Sequence, residues 1–355
     1  MTEDIKLPRA DQDLAPDAIS RLAAWIDSNI VACPKIEALS RLTGGQSNPT
    51  YLIQCRSGQL VLRRKPFGVL LPKAHMIERE FKVMKALARS DVPVPQVRAF
   101  CDDHGVIGAP FYMMEYVNGR IFWDARLPGV SSSDRRHVYA AMADTIVKLH
   151  KLAPADLDLG DFGQPRGFMK RQVRLWTDQY RAARPDKIAS MENLARWLAE
   201  HPECDSDEAS LVHGDIRLDN LVFHPTEPRV LAVLDWELST LGNPLADFAY
   251  SAAIWRIEPD VFRGLAGVDL QMLGIPSEEE YVRRYTSQFG DKMIKNWDFY
   301  LAFALFRIAA SLAGIAKRAF DGTASGEDAH RLGTMAVPVA DIGWTIADDA
   351  IAPRL

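Results

Sequence analysis

Cysteine is sparse in this chain: Cys33, Cys55, Cys101 and Cys204 are the only four in 355 residues, with no CxxC pair and no regular spacing. A disulfide framework or a zinc site is thereby excluded as the organising device, and reduced, partly buried thiols in a cytoplasmic protein are expected. A basic excess is also missing. Lys and Arg number 42 against 47 Asp and Glu, for a net charge of −5, which argues against a nucleic-acid partner. The first residues, MTEDIKLPRADQDLAP, hold no apolar core of the signal-peptide kind. Long hydrophobic runs are lacking with one exception, Phe299 to Ala316. Arg307 in its middle, with Asp298 and Lys317 flanking it, would make a bilayer span costly, so a buried helix and no membrane association are expected. There is no internal repeat and no low-complexity tract. What is present, 48% apolar and 25% charged residues, is ordinary for a globular chain able to bury a large core without cross-links.

Residues 15–32 carry helical spacing, with Pro16 near the start. From 36 to 117 the pattern turns to short β-type runs: 36–42, 50–55, 59–64, 97–101 and 111–117. Gly44-Gly45 and Ser57-Gly58 separate the first three, as in antiparallel hairpins. One helix, over His75 to Arg89, interrupts them, with Ile77, Phe81, Met84 and Leu87 at three- and four-residue steps. After Gly119 helical periodicity dominates, around 134–152, 168–183, 188–200, 278–289, 297–320 and 325–335, apart from a β-rich island at 210–223 and 229–237. The expected class is α+β in two lobes. Residues 1–35 form a helical extension, 36–117 a small β-rich N-lobe, and 118–355 a larger, mainly helical C-lobe, and a cleft between such lobes commonly takes a ligand.

The island carries chemistry. His213-Gly214-Asp215 is followed by Asn220, a β run and then Asp235, the order H-x-D-x-x-x-x-N … D of protein kinases. Phosphoryl transfer accounts for the residue types. An Asp orients the acceptor hydroxyl and takes its proton, while an Asn and a second Asp hold magnesium against the ATP phosphates. Those roles fall on Asp215, Asn220 and Asp235, and the 20-residue gap suits a hairpin that returns Asp235 beside Asp215.

The stretch LVHGDIRLDNLVF…VLAVLDWELSTLGNPLADFAY resembles the aminoglycoside phosphotransferase family, which is similar to choline and homoserine kinases. LRRKPFGVLLPKAH (62–75), EREF (78–81) and GQSNPTYL (45–52) resemble in particular the subgroup whose kinase domain is fused, in some animals, to acyl-CoA dehydrogenases. The resemblance covers about residues 30–320 and implies a two-lobed protein-kinase-like fold using ATP and Mg2+. Gly214 stands where protein kinases have the Arg of HRD, as in this family.

The remaining parts are sought in the small lobe. Thr43 to Asn48 lies between two predicted strands, where Gly44, Gly45, Ser47 and Asn48 would cover phosphates through backbone N–H groups, although the loop is not GxGxxG and a plain hairpin turn has the same composition. Alternation puts Val61 and Arg63 on one face of the third strand. Arg63 falls where many relatives have Lys, with Arg64 and Lys65 as alternatives and Glu80, then Glu78, as its expected helix partner. Glu115 and Val117 resemble the hinge that meets adenine. Glu237, two past Asp235, would touch metal or substrate or cap a turn. Asp247, in GNPLADFAY, matches a family Asp that braces the catalytic loop. Asp161-Phe162-Gly163 spells DFG but precedes the HGD loop and is read as a loop.

The acceptor is less legible. Residues 121–210 hold 14 acidic and 13 basic residues, with no surplus of carboxylates for a polycationic aminoglycoside. Residues 166–187 hold 7 basic against 2 acidic, which would attract an anionic small molecule, as would a cleft-facing Arg307; a buried salt bridge is the other expectation for Arg307. The resemblance implies a hydroxyacyl-CoA or hydroxy acid acceptor. An aminoglycoside or choline-type kinase and a nucleotide-binding pseudokinase are the alternatives.

Overall fold

The computed structural model describes residues 14–30, 35–42, 48–67, 75–183, 186–201, 209–289, 295–320 and 329–351. The chain divides into two units, Met1–Ser90 with Val94–Asn118, and Asp91–Pro93 with Gly119–Leu355.

The smaller unit begins with helix α1 (Pro16–Asn29), whose Pro16 occupies the first turn, where its missing N–H costs nothing. Strands β1 (Ile36–Arg41), β2 (Thr50–Cys55) and β3 (Gly58–Arg64) follow, then α2 (Ile77–Leu87), β4 (Val97–Cys101), the single turn α3 (His104–Ile107) and β5 (Phe111–Glu115). The five strands form one antiparallel sheet in the order β1-β2-β3-β5-β4. Alternation assigns the two faces. Leu60, Leu62, Phe111 and Met113 pack with Leu22 and Ile26 of α1 in one hydrophobic core, while Arg63 and Tyr112 face the other way, toward α2. Helix α1, placed by the sequence in a 1–35 extension, packs as part of this unit. Its apolar stripe, Ala18, Leu22 and Ile26, is buried in this unit.

The larger unit contains α4 (Ser132–His150), α5 (Phe168–Ala183), α6 (Ala189–Ala199), β6 (Ser210–Val212), β7 (Leu221–Phe223), β8 (Val230–Val233), β9 (Thr240–Gly242), α7 (Pro244–Ala252), α8 (Pro259–Phe262), α9 (Leu270–Leu273), α10 (Glu278–Thr286), α11 (Trp297–Phe320), α12 (Ala329–Thr334) and α13 (Ala336–Ile351). Its strands pair antiparallel as two ribbons, β6 with β9 and β7 with β8. Helix α11 is the greasy run of the sequence. It packs against α5, α6, α7, α12 and α13 and is buried from Phe299 through Ala310, which is the environment of a core helix. Helix α13 lies beyond the last periodic segment expected. Its Pro338 reads as a breaker, but at the third helical position it forfeits no intrahelical bond.

The expectation of reduced thiols holds for buried Cys101, which is free. It fails for Cys55, which is disulfide-bonded. Scattered spacing by itself does not disclose a pairing.

Candidate active site

Strand β6 ends at Val212 and delivers His213, Gly214 and Asp215 in one tight turn. The fully buried His213 ring lies tilted against Trp236, with centroids 4.7 Å apart. Its Nδ1 accepts from the Asp215 amide (3.1 Å) and its Nε2 donates to the Leu234 carbonyl (2.8 Å), so a ring protonated on Nε2 satisfies both. One imidazole thus joins the backbones leading into Asp215 and Asp235. A second tie is the Leu234 amide donating to the Asn220 carbonyl at 2.8 Å. The β7–β8 ribbon returns the chain as the 20-residue spacing required, and the three expected residues converge.

Asn220 closes the loop. Its Nδ2 donates to the Asp215 carbonyl (2.7 Å) and carboxylate (3.0 Å), which leaves Oδ1 as an oxygen donor for a hard cation. Asp235 has φ +63°, a left-handed conformation that costs a non-glycine residue about 1–2 kcal/mol and is typical of sites where function requires the strain. A carboxamide oxygen and a carboxylate suit magnesium, which takes one or two protein carboxylates and completes its shell with water and phosphate. Among the described residues no group of three or more His, Cys, Asp and Glu forms an all-protein metal cage.

Asp247 supports this loop from the first turn of α7, a helix capped by the Asn243 side chain. Its carboxylate accepts from the amides of His213 (2.8 Å) and Gly214 (2.7 Å) and from His150 Nε2 (3.1 Å). Burial pushes its pKa up, but these donors outweigh burial and hold it below the usual carboxylate value.

Sequence reasoning did not single out Arg217. Its Nη2 lies 3.1 Å from Asp219 and its Nε 3.4 Å from Asp215. Burial disfavours its charge, yet Asp215, Asp219, Tyr250 and Asp235 together raise its pKa above the ordinary value. Arg263 shares Asp219 at 2.9 Å and lies over the Trp123 ring. Beside them is a cavity of about 40 Å³ walled by Phe122, Trp123 and Phe262 together with Arg217, Asp219 and Arg263. The signal available in the sequence was position: Arg217 is two residues beyond the expected base.

Arg307 departs from the salt-bridge expectation. It is 5% exposed, and among the described residues no carboxylate pairs with it. It donates instead to the Gly214 carbonyl and lies against the rings of Tyr250, Trp176 and Phe303. Glu237 sits half-buried in the 3-10 turn after Asp235. Asp161-Phe162-Gly163 lies in a loop.

In the small unit, Arg63 Nε meets Glu80 at 2.8 Å. The buried Glu80 carboxylate also accepts from Tyr112 (2.9 Å) and Asn48 (2.9 Å). Asn48, expected near phosphate, thus has its carboxamide committed to Glu80 and, through Oδ1, to His75 at 3.0 Å. Gly44, Gly45 and Ser47 lie outside the described residues. The alternatives to Arg63 are engaged elsewhere: Arg64 lies over Phe67 and donates to Tyr51, while Lys65 pairs with Glu78. Glu115 ends β5 with its amide donated to the Gln96 carbonyl (2.9 Å), and Val117 follows the strand with no backbone acceptor for its amide among the described residues.

This antiparallel sheet with a buried Arg–Glu pair, together with a helical unit bearing the Asp215–Asn220–Asp235 loop, defines a two-lobed, kinase-like fold. The sequence profile described as the phosphotransferase enzyme family (APH) matches residues 38–285, and the chain belongs to that family. It is 48% identical over 306 residues to acyl-CoA dehydrogenase family member 10 of Mus musculus, covering 85% of this chain and 28% of that protein. With acyl-CoA dehydrogenase family member 11 of Homo sapiens it shares 42% over 313 residues, covering 87% and 40%. The chain thus spans well under half the length of these curated relatives. Among solved structures, a protein of Ralstonia eutropha provisionally assigned as an aminoglycoside phosphotransferase is 45% identical, with a TM-score of 0.83 and coverage of 93% of this chain and 98% of that one. Aminoglycoside phosphotransferase APH(4)-Ia, in a ternary complex with AMP-PNP and hygromycin B, shares the fold at 14% identity, with a TM-score of 0.63 and coverage of 92% and 98%.

Proposed function

We propose that the chain transfers the γ-phosphate of ATP to a hydroxyl of an anionic small molecule, with a hydroxyacyl-CoA or hydroxy acid as the acceptor class. The convergence of Asp215, Asn220 and Asp235 about His213 carries this reading. Asp215 orients the acceptor hydroxyl and takes its proton as the O–P bond forms. Asn220 Oδ1 and the Asp235 carboxylate would hold Mg2+, which when bound neutralises phosphate charge. Arg63, paired with Glu80, would supply a cation for phosphate, and the glycine loop, outside the described residues, would supply backbone donors. The Glu115 carbonyl and Val117 amide would bind adenine.

For the acceptor, the support is the pair Arg217 and Arg263 beside an aromatic-walled cavity and the exposed Lys170, Arg171 and Arg174 of α5. The names of the curated relatives, acyl-CoA dehydrogenase family members, agree with an acyl-CoA-type acceptor. An aminoglycoside, the partner in the APH(4)-Ia complex, is a polycation and suits these charges poorly. A pseudokinase would have no use for the Asp215 carboxylate.

The test is phosphate transfer from MgATP across a panel of hydroxyacyl-CoA, free hydroxy acids, aminoglycosides and choline-like amines. Asp215→Asn and Asp235→Asn are each expected to lose about 100-fold or more in kcat while remaining folded. Wild-type turnover by both variants would sink the assignment, and transfer only to aminoglycosides would sink the acceptor class.

A further inference from the structure

Arg307 is a buried guanidinium in the middle of an apolar helix, and burying a cation without a carboxylate is costly. Its Nη2 donates to the Gly214 carbonyl, its Nε–H finds no acceptor among the described residues, and its faces are covered by Tyr250 (4.8 Å), Trp176 (5.1 Å) and Phe303 (5.7 Å). On the other side of the same residue, the Gly214 amide donates to Asp247 Oδ1 at 2.7 Å. Gly214 is therefore gripped by two buried charges of opposite sign, the anion on its N–H and the cation on its C=O. Each backbone dipole is oriented to meet its charge favourably, which explains how Arg307 is tolerated without an ion-pair partner. The residue joined to the gripped carbonyl is Asp215. Tyr250, stacked on the guanidinium, faces the same aspartate: burial first, then the Asp215 charge, hold its phenol above the ordinary value, so it keeps its proton.

We propose that Arg307 is a positioning residue, which clamps the Gly214 carbonyl opposite the Asp247-held amide and so fixes the direction in which Asp215 presents its carboxylate. The inference rests on Asp215 being the base and gives α11 a part in catalysis without contact to the acceptor. It separates orientation from nucleotide binding, because a base displaced by about 1 Å loses about 100-fold in rate while the residues proposed to hold nucleotide are untouched.

The experiment measures kcat for MgATP hydrolysis and, by calorimetry, the affinity for MgAMP-PNP, in Arg307→Met, Arg307→Lys and Asp215→Asn. Arg307→Met is expected to lower kcat about 100-fold with affinity within about twofold of wild type. Arg307→Lys keeps the cation but loses the planar fork, so an intermediate loss of about 10-fold is expected. Wild-type kcat in Arg307→Met, or parallel losses of rate and affinity, overturns the proposal. Should the methionine variant not fold, the lysine variant decides: a lowered kcat with unchanged affinity supports the clamp, and wild-type kcat assigns Arg307 to stability alone. Asp215→Asn separates the two levels. If it is inactive while both Arg307 variants turn over normally, only this inference falls; if it turns over normally, the base assignment falls and the clamp with it.

Discussion

Gly214 has φ +85°, and a Cβ built on it would come within 2.6 Å of the Leu238 carbonyl oxygen. Both facts require glycine, the first through the left-handed conformation and the second through space. This gives a local reason for HGD in place of HRD: an arginine here would have to enter the backbone of the following turn. Gly214→Ala is expected to cost about 2 kcal/mol or more in urea melts, from left-handed strain of about 1–2 kcal/mol plus displacement of the 238 carbonyl. Turnover should fall further than stability, because the displaced residue adjoins Asp215. A variant with wild-type melting and turnover would contradict this account of the loop. At the same scale, Arg63 was distinguishable from Arg64 and Lys65 only by partner. Strand alternation left Arg63 and Lys65 on one face, and the buried Glu80 carboxylate selects between them.

Helix α7 is short, yet its first turn holds the His213–Asp215 turn in place. Asp247 receives two backbone amides and the His150 ring, all buried. Replacing it by Ala leaves those donors unpaired, with an expected cost of about 3–5 kcal/mol. The pH dependence follows from the depressed pKa of Asp247. A carboxylate bound more tightly in the folded state contributes stability above its unfolded pKa of about 3.9, and that contribution is lost as pH falls through the lower folded value. Wild type should therefore lose stability below about pH 4 more steeply than Asp247→Asn, as followed by circular dichroism during acid titration. Parallel titration curves would count against the brace.

The elements themselves were unevenly legible. The five strands of the small unit lay within two residues of their predicted bounds, because alternation and Gly turns punctuate them. Helices α5 and α11 were legible from periodicity alone. Absent from the periodic segments were α7, whose residues are all buried and so alternate no polar face, α13, disguised by Pro338 and Gly343, and the one-turn helices α3, α8 and α9, which are too short to carry a period.

At the scale of the molecule, nucleotide binding should be visible as stability. A ligand that binds only the folded state adds about 2.7 kcal/mol at 100 times its dissociation constant. MgAMP-PNP is expected to raise the melting temperature, and removing divalent cation with EDTA should abolish most of that rise if Asn220 and Asp235 hold the metal. Unchanged stabilisation in EDTA would place nucleotide binding outside those two residues. The chain forms two units, so each transition is followed separately.

The sequence by itself determined the local chemistry. The HGD…N…D order, the β-runs and the arginine in an apolar helix are patterns of residue type and spacing along the chain, which the sequence displays directly. Tertiary structure decided everything that depends on partners remote in the chain. Asn48 and Tyr112 brace Glu80, and Arg217 stands among three aspartates. Arg307 meets a backbone carbonyl 93 residues away rather than a carboxylate. Such pairings follow from which faces are packed together, and packing is a property of the folded chain that no short stretch of sequence contains.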